Sequence, residues 1–379
     1  MDGLAGPERS IVQFVIPRVV HVPKESRRYL TPCQPQHGHG QWIRFGDRRF
    51  TNHYMHPGCP TSMAPDHRLS HETALHTSWD NDRDPALTVE PGETVAMACL
   101  DANGPRLTPK TQSGDLPDSE FVGHHLTGPI RVAGAEPGDV LAVDILDVET
   151  DDWGYTVIRS GDRGVGLLPE RFPDPFVYHW QLADGVGLFE HGIEVPLAPF
   201  PGVVGVAPAA PGEHGTGPPR AVGGNLDIKH LTAGATVYLP VAVNGALCSI
   251  GDGHAAQGDG EVCVSAIEAP MEITVRFELQ EGRSIPSPQF ETTGPFHPAG
   301  HTGDDAAYAT TGIADDLMVA TKDATNAMID HLVERYALTP EHAYVLCSVA
   351  GDLKINEVVD APNWVVSMYL AQELFPDDR

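Results

Sequence analysis

Two segments of this chain, LTVEPGETVAMACLD (87–101) and GPIRVAGAEPGDVLAVDILDVE (128–149), share one device: an apolar run, a Pro-Gly pair followed by an acid, and a second apolar run. Side chains of an extended strand alternate between faces, so the period-2 pattern in IRVAG and VLAVDILDV turns one face inward. Proline presets φ and glycine tolerates the positive φ that a type II turn needs, so Pro91-Gly92 reads as a turn between strands. The second copy reflects either an internal duplication or convergence on a common turn signal. The punctuation extends through the whole chain: 39 glycines and 34 prolines among 379 residues favour short strands and turns over long helices.

Residues 1–70 are irregular apart from one apolar run, IVQFVI, and read as an N-terminal extension that packs on the main body or on a neighbouring subunit. Residues 71–300 read as a β-rich catalytic body. Within it, 151–222 is loop-rich, and Ile273, Val275, Phe277 and Leu279 of APMEITVRFEL face one way. Residues 301–379 read as an α+β element packed on that body. Leu317, Ala320, Ala324, Met328, Leu332 and Val333 recur near a 3.6 period, which predicts a helix, and Asp315 and Asp316 supply its acidic start. AYVLCSVAGDLKI is expected as a strand and VSMYLAQELF as a final helix. The expected fold class is mainly β with an α+β portion: sandwich- or barrel-like β lobes, with the helices concentrated in the C-terminal part.

The net charge of -28, from 52 acidic and 24 basic residues, repels phosphate backbones and argues against nucleic acid as a partner. No apolar run approaches the ~20 residues of a membrane span, and MDGLAGPERS has neither a basic nor an apolar signal region, so the expected location is cytoplasmic. The six cysteines include no C-x-x-C pair and read as reduced, mostly buried thiols. Cys33, His37, His39, His53, His56 and Cys59 match no closed zinc motif.

The chemistry concentrates in GGNLDIKHL (223–231) and SIGDGHAAQGDGEV (249–262). These stretches bring Asn225, Asp227, His230, Asp252, His254, Asp259 and Glu261 together with six glycines. Glycine lets the backbone approach a ligand closely. Carboxylates this crowded need a cation or hydrogen-bond donors to stay charged, and Asp and His are suitable ligands for a divalent ion. The competing reading, Gly-Asp-Gly as a surface turn, suits one isolated copy better than the whole run. His124 and His125 are adjacent, so an extended chain sends only one of them into a site, and His76 by itself reads as a loop histidine. Other catalytic templates are missing: there is no G-x-S-x-G elbow, no P-loop lysine or dinucleotide fingerprint, and no Gly/Ser-rich run with an upstream lysine for a serine amidase. Cys248 and Cys263 lie in apolar strand-like contexts that do not suit a catalytic thiol.

These segments resemble the acetamidase/formamidase family. The resemblance rests on HTSWD (76–80), GHHLTGPIRVAGAEPGDVLAVDIL (123–146), FPGVVGVAP (200–208), the GGN-x-D and GD-x-H-x-x-QGDGE blocks within 218–262, and the trailing SAIEAPMEITVRFEL. It implies a β-rich fold with an α+β portion, hydrolysis of short neutral amides to acid and ammonia, assembly into homo-oligomers, and a divalent metal ion, zinc or calcium. Carried onto this chain, it makes His124, Asp227, Asp252 and His254 the metal ligands and Glu261 the acid/base. Asn225 joins Glu261 in the catalytic set: with the N–H groups of Gly223 and Gly224 it would hold the tetrahedral oxyanion. His76 joins Gly223 and Gly224 in binding substrate. The stretch between VGVAP and PPR is short here (AAPGEHGTG, 209–217), and His125 stands where other members differ. Formamide, acetamide, a longer amide and a lactam therefore all stay open as substrates. A lactamase using the same chemistry is the first alternative, and a non-catalytic sensor of small amides or metal is the second.

Overall fold

The computed structural model describes residues 64–116, 122–159, 166–292, 307–357, 362 and 364–375. Cys33, His37, His39, His53, His56 and Cys59, and nearly all of the 1–70 extension, lie outside the described residues. At the end of that extension, His67–Ser70 pairs in parallel with Thr94–Cys99 and forms the edge of a sheet.

Two sheets form the body. A six-stranded sheet runs in the order His67–Ser70, Thr94–Cys99, Met271–Gln280, Val140–Thr150, Thr236–Pro240, Gln289–Glu291. An eleven-stranded sheet faces it, with Cys248–Ala256 flanked by Phe200–Val206 on one edge. The two Pro-Gly turns are not hairpins. Each carries the chain from the eleven-stranded sheet to the six-stranded one: Leu87–Val89 pairs with Leu126–Val132, whereas Thr94–Cys99 and Val140–Thr150 both pair with Met271–Gln280. Gly92 and Gly138 take the positive φ that the sequence requires, 95° and 103°, and Glu93 N–H and Asp139 N–H close the turns onto Glu90 O and Glu136 O at 3.1 Å each. The repeated device is thus a corner of a β-sandwich. Its filling comes from both sheets: Met97, Leu141, Val143, Ile273, Val275 and Phe277 meet Ile130, Phe200, Val204 and Ile250. Leu279 packs at the margin of this core, as its alternation predicts.

The region read as loop-rich, 151–222, holds four further strands of three residues or more before Phe200–Val206: Trp153–Ile158, Phe176–Ala183, Val186–Leu188 and Glu194–Pro196. They extend the eleven-stranded sheet beyond the sandwich. There its Trp180, Leu182, Ala255 and Ile267 pack against two helices and a three-stranded sheet. Helix α1, Leu317–Tyr336, buries Ala320, Ala324, Met328, Ile329 and Leu332, with Asp316 as its N-cap accepting from Val319 N–H. Helix α2, Pro340–Ala350, takes up the first part of the segment expected as a strand, whose last residues do lie in the strand Asp352–Glu357. Every residue from Ala343 to Ala350 is buried, and a helix enclosed on all sides shows no 3.6 period. Its true signal is the start: Thr339 accepts from His342 N–H, Pro340 follows at the first helical position, and Glu341 supplies the acid. The expected final helix is instead the central strand of the small sheet, Trp364–Ala371, between Ala307–Ala314 and Asp352–Glu357.

Cys99, Cys248, Cys263 and Cys347 are free and buried. Burial pushes the first three thiols up to about 12. No described helix is long and apolar enough to cross a membrane.

Candidate active site

The strand Cys248–Ala256 is buried along its whole length. On one edge its neighbour changes partway. Leu126–Val132 pairs with residues 248–251, and Ile267–Glu268 takes over at His254 and Ala256. Asp252 falls in this handover with φ of 59°, a left-handed conformation that aspartate tolerates better than most residues. On the other edge Pro201 pairs with Gly253 and Val203 with Gly251, which sets Gly202 opposite Asp252. Gly251-Asp252-Gly253 is therefore strand interior, whereas Gly258-Asp259-Gly260 does lie in a turn. His254 also marks the seam between the two hydrophobic cores: it meets Phe200 of the sandwich edge-on at 5.2 Å, and the next residue, Ala255, belongs to the helical side.

The carboxylates and the imidazole converge here. His254 Nε2 lies 3.4 Å from Asp252 Oδ1 and 3.4 Å from Glu268 Oε2, while its Nδ1 is 3.9 Å from Asp227 Oδ1. His124 Nε2 lies 3.7 Å from the other Asp252 oxygen. Gln257 fixes the ring. Its amide N–H donates to Asp227 O (2.9 Å), so its Oε1 faces His254 Nδ1 (2.9 Å) and must accept from it. Nε2 is left toward the carboxylates, and an outer hydrogen bond of this kind sets the tautomer of a ligating histidine. Asp227 reaches the cluster because its backbone N–H, together with that of Leu226, turns in to Gly202 O.

Charge sets the protonation. Burial pushes the Asp227 carboxyl up to about 7; Asp252 and Glu268 add to the rise and His254 opposes it. Burial would also raise Asp252, but His124 and His254 hold it at about 2. Burial would lower His254, yet Glu268 and Asp252 keep it well above the usual imidazole range. Burial and the Asp227 charge push Glu261 well above the usual carboxylate range.

Two sets of ligand atoms each fall within 4.8 Å of one another: Asp227, Asp252 and His254, and His254, Glu261 and Glu268. A cation fits the first set on two observations. Oδ1 of Asp227 and Oδ1 of Asp252 are buried and accept no hydrogen bond. The same two side chains, through Asp227 Oδ1 and Asp252 Oδ2, also enclose a cradle that one methyl group would fill: a Cβ on Gly202 would stand 2.8 Å from each of these oxygens and 2.7 Å from His254 Cε1.

Of the residues the sequence singled out, Asp227, Asp252, His254 and Glu261 come together, with His124 against Asp252. His125 turns away: its Nδ1 lies 3.3 Å from Ala102 O. The expected oxyanion donors are placed differently. Gly223 N–H already donates to Arg220 O at 3.0 Å, and the Asn225 amide lies against Asp227, where it lowers that carboxyl. Gly224 lies against the Trp79 indole. Both nitrogens of His76 are occupied: Nδ1 faces Ser78 O (2.8 Å), and Ser249 Oγ donates to Nε2 (2.9 Å). Burial lowers this imidazole to about 4 and keeps it neutral, so His76 fastens one strand to another and has no nitrogen left for a substrate.

Sequence reasoning missed Glu268. Its Oε1 accepts from Ser265 Oγ (3.1 Å) and Ala266 N–H (3.2 Å), which leaves Oε2 facing His254. A single glutamate inside an apolar run, SAIEAP, was the only available signal. Lys229 was also overlooked. Buried in the GGNLDIK block, it pairs with Asp352 and, at 3.2 Å, with Asp259, and so ties the GDGE turn to the C-terminal element.

The sequence matches the Acetamidase/Formamidase family over residues 63–215 and 209–377. A formamidase of Methylophilus methylotrophus is 28% identical over 80% of this chain and 90% of its own length. An acetamidase of Mycolicibacterium smegmatis is 30% identical over 55% of this chain and 66% of its own length. Among solved structures, a gamma lactamase from Delftia acidovorans superposes with a TM-score of 0.76 at 28% identity, covering 82% of this chain and 94% of that one. An acetamidase from Bacillus halodurans gives 0.56 at 32% identity over 81% and 97%. Fold and site together define a β-sandwich protein whose polar centre is built from acidic and histidine side chains. The chain belongs to the Acetamidase/Formamidase family.

Proposed function

We propose that this protein hydrolyses the C–N bond of a small, neutral, linear amide to a carboxylic acid and ammonia, at a centre that holds a divalent cation. The observation that carries this reading is the cradle over Gly202, lined by Asp252 Oδ2 and by Asp227 Oδ1, a buried oxygen that accepts no hydrogen bond. Membership of the Acetamidase/Formamidase family and the likeness to a formamidase and an acetamidase support the amide as substrate.

Asp227, Asp252 and His254 would hold the cation, with His124 braced on Asp252 and Glu268 on His254. A divalent ion supplies the positive charge that polarises an amide carbonyl and acidifies water; zinc and calcium are the candidates. Glu261, half-buried beside Asp227, takes the proton from the attacking water and delivers it to the departing nitrogen, work suited to a carboxyl with a raised pKa. Gln257 keeps the His254 proton on Nδ1 and so keeps Nε2 directed into the site.

A second reading has its own support: the gamma lactamase is the structural relative described above with the higher TM-score, which favours opening of a small cyclic amide by the same chemistry. Two assays decide. Protein purified without chelator is analysed for bound metal, stripped, and assayed for ammonia release from formamide and acetamide and for ring opening of a γ-lactam. Activity lost on stripping and regained with one divalent ion supports the centre, and full activity without metal refutes it. Glu261→Gln is expected to lower turnover by at least about 100-fold; near-wild-type turnover would remove Glu261 from its role.

A further inference from the structure

We infer that Asn225 reads the N–H of the substrate amide through its side-chain carbonyl, acting as an acceptor for the leaving nitrogen and not as an oxyanion donor. This rests on the amide-hydrolase reading above. The backbone places Asn225 beside the cradle. Gly223 and Gly224 take φ of 92° and 110°, and the short strand Gly223–Asn225 pairs with Phe200–Val206 so that Asn225 stands opposite Val203, one residue beyond Gly202.

The two ends of the Asn225 carboxamide are inequivalent. Its NH2 end faces the Asp227 carboxylate, the only orientation that avoids setting two acceptors against each other, and the contact lowers that carboxyl. The planar group then leaves Oδ1 as the acceptor not engaged with Asp227. Oδ1 is buried and accepts no hydrogen bond. A buried carbonyl without a donor costs about 1–3 kcal/mol, a cost that a donor arriving with the ligand removes. Neutral donors on a small amide are its N–H groups; a primary amide has two and a γ-lactam one, whereas an ester has none. An acceptor here therefore selects amides over esters of the same shape and orients the nitrogen that must receive a proton.

The test compares acetamide with methyl acetate, its near-isostere without N–H, in wild type and Asn225→Ala. Methyl acetate is read as a substrate or, where it is not turned over, as a competitive inhibitor. The expected result is a loss of about tenfold in kcat/KM for acetamide, the scale of one neutral hydrogen bond, with the ester's kcat/KM or inhibition constant changed less than twofold. Both proteins are assayed at saturating divalent ion, because losing the Asn225 contact raises the Asp227 carboxyl. An equal loss for amide and ester at saturating ion would overturn the inference, because Asn225 would then act only by positioning Asp227. A loss of metal that saturating ion does not restore would overturn it as well, because Asn225 would then act through the metal centre. Wild-type protein that turns over no amide at all would sink the amide-hydrolase reading itself, a result distinct from either of these.

Discussion

Gly202→Ala tests the cradle with a single methyl group. Gly202 does not occupy the left-handed region, so alanine is acceptable to the backbone and the change acts through space alone. The added Cβ would stand 2.7 to 2.8 Å from His254 Cε1, Asp227 Oδ1 and Asp252 Oδ2. Ordinary contact begins near 3.4 Å, so each group must retreat by about 0.6 Å. Overpacking of this kind costs typically about 1–3 kcal/mol of stability, which a domain of this size survives. Ligand geometry is less forgiving: metal–ligand distances hold to about ±0.2 Å, and a misplacement of about 1 Å in an active site costs on the order of 100-fold in rate. The expected variant is folded, has lost its metal at equal protein, and has kcat/KM reduced by at least about 100-fold. Metal analysis, thermal denaturation and ammonia release measure the three quantities. A variant that keeps both its metal and its activity within about threefold would refute the argument that Gly202 is small in order to leave room for an ion. Gly251→Ala is the contrasting control, because its Cβ would overlap the His125 carbonyl, which is backbone and cannot swing aside; this variant should fail to fold normally.

Three further perturbations follow from the same geometry. Gln257→Ala removes the hydrogen bond that fixes the His254 tautomer, and should weaken metal affinity by about 10- to 100-fold while Glu261 stays in place; unchanged affinity by competition with a chromogenic chelator would contradict it. Lys229→Met takes from buried Asp352 its nearer cation and leaves Lys354 at 4.0 Å, at a cost of up to about 3–5 kcal/mol, read from denaturant midpoints and accompanied by loss of activity as the GDGE turn loosens. In metal-stripped protein, Asp227 titrates near 7 against 3.8 unfolded and His254 well above 6.5. The folded state then binds more protons than the unfolded one, and stability falls as pH rises from about 4 to about 7. Asp252, held at about 2, contributes no slope in that window. A divalent ion favours the deprotonated forms and should flatten the curve, so melts at pH 5 and 7.5 with and without metal are expected to differ in slope; parallel curves would count against the cluster.

What the sequence revealed followed local rules. The Met271–Gln280 strand shows one buried face and one exposed, and α1 shows a 3.6 period, because each is half-solvated. The α2 helix and the Trp364–Ala371 strand were misread in opposite directions. Enclosure on all sides removes the alternation that distinguishes strand from helix, and only Thr339-Pro340-Glu341 marked the difference. The Pro-Gly turns were recognised, but a turn signal states that the chain reverses, not which sheet receives it. In the site, Asp227, Asp252, His254 and Glu261 were visible because glycines surround them. Glu268 sits on a two-residue strand, Ile267–Glu268, and enters only through pairing with His254. His76 and the Gly223 N–H looked available because their acceptors, Ser78 O and Arg220 O, are backbone atoms that no residue pattern records.

The turn that carries Glu261 is held from the other end of the chain. Gly258 N–H donates to Ser348 O at 2.8 Å, Cys263 N–H to Ser348 Oγ at 3.1 Å, and Leu353 N–H to Asp259 O at 3.1 Å. Tyr344 caps Val262 O and receives the N–H groups of Leu167 and Leu168. The amides of Gly258 and Cys263 can therefore exchange with solvent only when the segment from Tyr344 to Leu353 lets go. Hydrogen exchange should group them with α2 in one cooperative unit. Any event that opens the C-terminal element, whether clipping, heat or a destabilising substitution on α2, would release Glu261 with it. The enzyme would then lose the proposed acid/base, Glu261, before it loses its sandwich.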